Sequence, residues 1–219
     1  MAKFRNKYRI GSHRKPYWDY SADALYFLTI VTQGRECILG DIVNAEMTLS
    51  EMGKIVDDEF LKSFEIRDEL FLCEYVIMPN HLHTIVEIQK PNVVEPHVLD
   101  SVEPHGRAVH QKSTDPNHPS ENSKNSDIND MRIKRNMPIR LPKSISSFMA
   151  GFKSAVNTQI DNFIDDHNLQ IPKYNRNNHF FQPNYHDHII RNDSEYQRIK
   201  NYIIQNPKKW CDDSLNNPK

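Results

Sequence analysis

Cysteine is scarce in this chain: Cys37, Cys73 and Cys211 are 3 in 219 residues, and no two form a C-x-x-C pair. The odd, scattered set excludes a full disulfide framework and points to a reducing, cytoplasmic compartment, with Cys73 read as a buried thiol in an apolar strand. Long hydrophobic runs are missing too. Nothing approaches the roughly 18 residues of a membrane span, and the basic, polar first residues do not read as a signal peptide. A soluble protein without a membrane partner is expected. A strong charge of either sign is also absent. A formal net charge of −1, from 28 Lys and Arg against 29 Asp and Glu, excludes a uniformly basic nucleic-acid binder, although local clusters can still meet phosphate.

Such clusters exist. Lys3, Arg5, Lys7, Arg9, Arg14 and Lys15 crowd residues 1–20, interleaved with Phe4 and Tyr8 and followed by Tyr17 and Trp18. Arg132, Lys134, Arg135, Arg140 and Lys143 form a second group. Cations mixed with aromatics suit single-stranded or hairpin DNA, where phosphates need charge and unpaired bases need a stacking surface. A solvated tail and a solvated linker explain the same residues without DNA.

The patterning gives one α+β domain. Tyr26 to Thr32 reads as a first strand, and Thr48 to about Phe64 as a helix behind a Thr48-x-x-Glu51 capping box. Phe71 to Met78 and His81 to Ile88 form a hairpin closed at Pro79-Asn80. From Pro91 the chain turns rich in Pro, Asn, Ser, Asp and His, too polar to offset ordering entropy, so a disordered insertion is expected over about residues 91–140. His97, His105, His110 and His118 lie in it, where nothing fixes a ligand geometry. A second helix carries the stripe Ile145, Phe148, Met149, Phe152, Val156, Ile160 and Ile164, with Lys153 off it. Tyr185 to Ile190 is a fourth strand, and a last helix runs from about Asp193 to Asn206, before Pro207. The order βαββαβ plus a helix predicts a ferredoxin-like or RRM-like antiparallel sheet with two helices on one face. One domain at 21–210 is expected, followed by a tail at 211–219.

Two features carry chemistry. Side chains alternate along a strand, so His81 and His83 leave on one side while Leu82 turns into the core, which makes half a site for a divalent cation. Two ordinary half-exposed histidines would show the same spacing, and a second such pair stands at His186 and His188. On the last helix, Tyr202 and Asn206 lie one turn apart on one face. A tyrosine can attack a phosphodiester and an amide oxygen can complete a metal's coordination. An amphipathic tyrosine and a helix-capping asparagine account for them equally.

The pieces Met78-Pro79-Asn80-His81-Leu82-His83, Gly151-Phe152-Lys153-Ser154, Asn184 to Arg191 and Tyr202-Ile203-Ile204-Gln205-Asn206-Pro207 resemble the REP-associated tyrosine transposases, a branch of the single-tyrosine HUH superfamily. The resemblance covers nearly all of the chain outside the N-terminal tail and the polar insertion. It implies a metal-dependent nickase and strand transferase for single-stranded or hairpin DNA. His81, His83 and Asn206 would hold Mg²⁺ or Mn²⁺, and Tyr202 would form a 5′-phosphotyrosine link. Arg5, Arg9, Arg14, Lys15, Lys153, His188 and Arg191 would contact DNA, and a homodimer fits the family. Asp187 is polar, so His186 and His188 do not match the family's metal motif. Three alternatives stay open: a replication initiator or relaxase of the same superfamily, a non-catalytic hairpin-DNA-binding protein, and an RRM-like RNA binder, although the strands lack an RNP-type aromatic pattern.

Overall fold

A central sheet of four antiparallel strands carries two helices on one face and a third on the other. The computed structural model describes residues 3–4, 7–8, 15, 17–90 and 141–216. Contacts group residues 1–91 and 141–219 into one compact unit. Arg5, Arg9, Arg14, Arg132, Lys134, Arg135, Arg140 and the polar insertion lie outside the described residues. At the N-terminus, β1 (Lys3–Phe4) pairs antiparallel with β2 (Lys7–Tyr8).

The sheet contains β3 (Ala24–Val31), β6 (Leu70–Met78), β7 (His81–Ile88) and β8 (His186–Ile190), in the order β6-β7-β3-β8. Because side chains alternate, Tyr26, Leu28 and Ile30 of β3 and Leu82, Val86 and Ile88 of β7 share one face. Against it pack α1 (Glu51–Glu65) and α2 (Ile145–Asp166), through Phe60, Phe148 and Phe152. The opposite face presents Leu25, Phe27, Ile85 and Ile190, and α3 (Asp193–Gln205) covers part of it with Ile199 and Ile203. Among the described residues no helix is long and apolar enough to cross a membrane.

Several local details differ from the sequence reading. Ser50, not Thr48, caps α1, its hydroxyl accepting from Gly53 N–H at 3.0 Å. Thr48 sits instead in β5 (Glu46–Leu49), which pairs with β4 (Gly40–Val43) in a hairpin. Gly53 permits α1 to approach this segment, since a Cβ there would stand 2.0 Å from the Leu39 carbonyl oxygen. Pro207 does not end the helical path: Asn206 keeps helical angles and a 3-10 turn continues through Pro207–Asp212. Cys73, expected to be buried, is half-buried at a bulge in β6, and desolvation pushes its thiol pKa up.

Candidate metal and tyrosine site

The Pro79-Asn80 turn sets the geometry of both histidines. Leu39 N–H donates to the Pro79 carbonyl at 3.0 Å, and Thr32 donates to the Asn80 carbonyl through its amide at 2.9 Å and its hydroxyl at 3.0 Å. The Asn80 side chain is buried, and its amide donates to the carbonyls of Arg35 at 3.1 Å and Leu215 at 2.8 Å. Its Oδ1 remains as the acceptor for His81 Nδ1–H at 2.8 Å. That bond leaves the lone pair on His81 Nε2, a buried atom with no hydrogen-bond partner among the described residues.

His83 is oriented from the neighbouring strand. Thr29, its register partner on β3, lies 2.8 Å from His83 Nδ1, and the Tyr202 hydroxyl lies 3.0 Å from His83 Nε2. With the phenol donating to Nε2, the ring proton sits on Nδ1 and is given to Thr29. Both imidazoles therefore present Nε2 toward one space, with ring centroids 4.5 Å apart. Burial pulls the His81 pKa down to about 3. His83 is also held well below its ordinary value, first by burial and then by His81, against the opposing pull of Asp213. Neutral imidazoles are the ligating form.

The expected third donor was Asn206. The acidic donor that joins the pair is Asp213: one ligand atom each from His81, His83 and Asp213 lie within 4.8 Å of one another. Asn206 Oδ1 is nonetheless buried and without a partner among the described residues. Two neutral imidazoles, one with its Nε2 unpartnered, and a carboxylate make a donor set suited to a divalent cation, to which the orphaned Asn206 oxygen is a further candidate. Sequence reasoning missed Asp213 because no local spacing connects it to His81; only the 3-10 turn after α3 returns it to the site.

Tyr202 is 44% exposed and lines an open cavity together with His83. Its ring meets Phe27 edge-on at 6.2 Å and His83 at 5.1 Å. Partial burial raises its pKa, with Asp213 adding to the rise and a hydrogen bond from the Asn206 side chain opposing it. Asn206 lies one turn further along the same helix face, as the i, i+4 spacing implies.

The remaining residues named from sequence are dispersed. His188 Nε2 lies 2.8 Å from Glu195 Oε1, and the exposed Arg191 gives its backbone N–H to Glu195 Oε2 at 2.9 Å. Lys15 sits 4.6 Å over the Trp18 ring. The Lys153 ammonium points at the loop before β8 and donates to the carbonyls of Gln182 at 2.6 Å, Pro183 at 3.4 Å and Asn184 at 3.5 Å. Burial lowers its pKa to about 8.

No family model matches this chain. An uncharacterised protein of Haemophilus influenzae is 26% identical over 227 residues, covering 95% of this chain and 97% of its own length. Two solved structures align with this chain at TM-scores below 0.5. One is a REP-associated tyrosine transposase bound to a REP hairpin, 14% identical, covering 92% of this chain and 74% of the other at a TM-score of 0.48. The second is a candidate transposase of Deinococcus radiodurans, 16% identical over 87% of this chain and 96% of the other, at a TM-score of 0.35.

Proposed function

We propose that this chain is a metal-dependent nickase and strand transferase of the single-tyrosine HUH type, acting on hairpin-forming repeat DNA. The observation that carries the reading is the Tyr202 hydroxyl, 3.0 Å from His83 Nε2 at the edge of the His81, His83 and Asp213 group. Nucleophile and ligands come from different elements, α3 and β7, and meet on the sheet face that α1 and α2 leave uncovered. We read residues 24–90 and 141–190 as a ferredoxin-like βαββαβ unit, supported by the strand order β6-β7-β3-β8.

In this reading Tyr202 Oη attacks the scissile phosphorus, the bond from phosphorus to the 3′-oxygen breaks, and a 5′-phosphotyrosine forms. The phenol loses a proton and the departing 3′-oxygen gains one, so charge balances. The phosphotyrosine link keeps the bond energy, and a second 3′-hydroxyl can reverse the step to join strands. Mg²⁺ or Mn²⁺ at His81, His83, Asp213 and Asn206 would withdraw charge from a non-bridging phosphate oxygen. His83 has one lone pair on Nε2, so as a ligand it releases the Tyr202 hydroxyl toward substrate. Asn206, one turn along the same face of α3, would join the ligands through its unpartnered Oδ1.

The test is incubation of the purified protein with labelled single-stranded hairpins from the flanks of its own gene, with Mn²⁺ or Mg²⁺. Wild type is expected to give a covalent adduct on a denaturing gel. Tyr202→Phe is expected to bind the hairpins with unchanged affinity and give none, because it lacks the attacking oxygen. Tight binding by wild type with no adduct would establish the non-catalytic hairpin-binding alternative instead.

A further inference from the structure

His186 and His188 stand apart from the metal group, yet they share its sheet face. Asp187 between them turns inward and accepts the Tyr20 hydroxyl at 2.6 Å, which sends both histidines outward. Across the sheet, Thr29 pairs with His83 on one side and with His186 on the other, while Phe27 pairs with His188. Over this row lies a cavity of about 650 Å³, lined by Phe27, Val31, His186, His188, Arg198 and Ile199, and also by Tyr202 and His83 of the candidate site.

The chemistry of the lining is divided. Phe27, Val31 and Ile199 give an apolar wall. Arg198 is 71% exposed and 3.7 Å from Glu195, so most of its five N–H donors face solvent at the rim. Glu195 also holds His188, which fixes that ring against one side of the cavity. An aromatic and aliphatic wall beside a cation matches an unpaired nucleotide, whose base needs a stacking surface and whose phosphate needs charge. A volume of this order falls within the roughly 300–1,000 Å³ of small-ligand sites. A base held inside a duplex cannot enter it.

We propose that this cavity takes the single unstacked nucleotide flanking the scissile phosphate, with its base against Phe27 and Ile199, its edge read by His186 and its phosphate met by Arg198. The assignment rests on the nickase reading above and adds a base preference to it. The nucleotide's position follows from continuity: Tyr202 itself lines the cavity, so the occupant is the strand's next residue.

The experiment is an abasic scan. Hairpin oligonucleotides from the flanks of the protein's gene, with single-stranded tails on both sides, carry an abasic site at each tail position in turn, and affinity is read by fluorescence anisotropy. With wild type, one position is expected to cost about tenfold in affinity, as loss of a stacked base does. His186→Ala should shrink that penalty to about threefold or less, and Arg198→Ala should weaken binding of every tailed hairpin while leaving the untailed hairpin unaffected. Both side chains are exposed, so loss of folding is not expected, and circular dichroism checks it. An adduct at Tyr202 with no position-specific penalty, or a penalty unchanged in both variants, overturns the pocket and leaves the nickase reading intact. Absence of both adduct and binding overturns the two together.

Discussion

Asn80 shows how one side chain fixes the chemistry of another. Both amide hydrogens are given to carbonyls, of Arg35 and Leu215, so Oδ1 is the only atom left to receive His81 Nδ1–H. Partners of this kind set the tautomer and ring orientation of a ligating histidine, and their loss typically costs about 10–100-fold in metal affinity. Asn80→Ala is therefore expected to weaken Mn²⁺ binding by about that factor. Trp210, 6.0 Å from His81, supplies the signal, since a paramagnetic ion bound nearby quenches its fluorescence. An unchanged quenching midpoint would show that the turn does not orient the ligand. The histidines themselves were legible in the sequence, because strand alternation alone puts His81 and His83 on one face. Asn80 read only as a turn residue. Its partners Arg35 and Leu215 lie 45 and 135 positions away, and no local rule connects them.

At the scale of elements, periodic segments were readable and irregular ones were not. The three helices and four sheet strands follow from apolar spacing, and β7 starts and ends where its pattern does, at His81 and Ile88. The β4–β5 hairpin escaped because its turn is Asn44-Ala45, with φ of 53° and 63°, in place of the Asn-Gly that announces such turns. The same limit hid Asp213, delivered by a 3-10 turn. Lys153 was legible only as a cation off the apolar stripe of α2. Its position on three carbonyls makes it a clamp on the Phe180–Asn184 loop, which is also tied to the turn after β3 by Gln33 N–H to the Phe180 carbonyl at 2.8 Å and to β3 by Gln182 N–H to the Val31 carbonyl at 2.8 Å. Lys153→Met keeps the stem and removes the charge. Leaving these carbonyls underserved should cost about 1–3 kcal/mol in urea denaturation. Hairpin-DNA affinity is expected to change by less than about threefold, because a cation engaged in this way offers little to phosphate. A large loss of affinity at unchanged stability would return Lys153 to the DNA-contacting set named from sequence.

For the whole molecule, the site has a consequence for stability that activity assays do not read. Two imidazoles are buried neutral in the folded state, His81 with its pKa at about 3 and His83 also far below its usual value. In the unfolded chain both return to about 6.5. Below that value the unfolded state binds protons that the folded state refuses, so stability is complete above pH 6.5 and declines as pH falls toward the folded values. Each imidazole that stays neutral in the folded state lowers the unfolding free energy by about 1.4 kcal/mol between pH 7.5 and 5.5. Few carboxylates titrate in that interval, so the histidine contribution stands clear. Urea denaturation with chelator present should show the decline in wild type, and His81→Gln should reduce its slope. The variant removes one of the two protonating groups, and its amide can still bond to Asn80. Saturating Mn²⁺ should raise stability at pH 7.5, and the gain should hold nearly constant down to pH 5.5, because imidazoles that refuse protons in the folded state give protons no means to displace the ion. A flat profile in chelator would mean that protons reach the pair in the folded state, and the buried arrangement of neutral ligands would have to be given up.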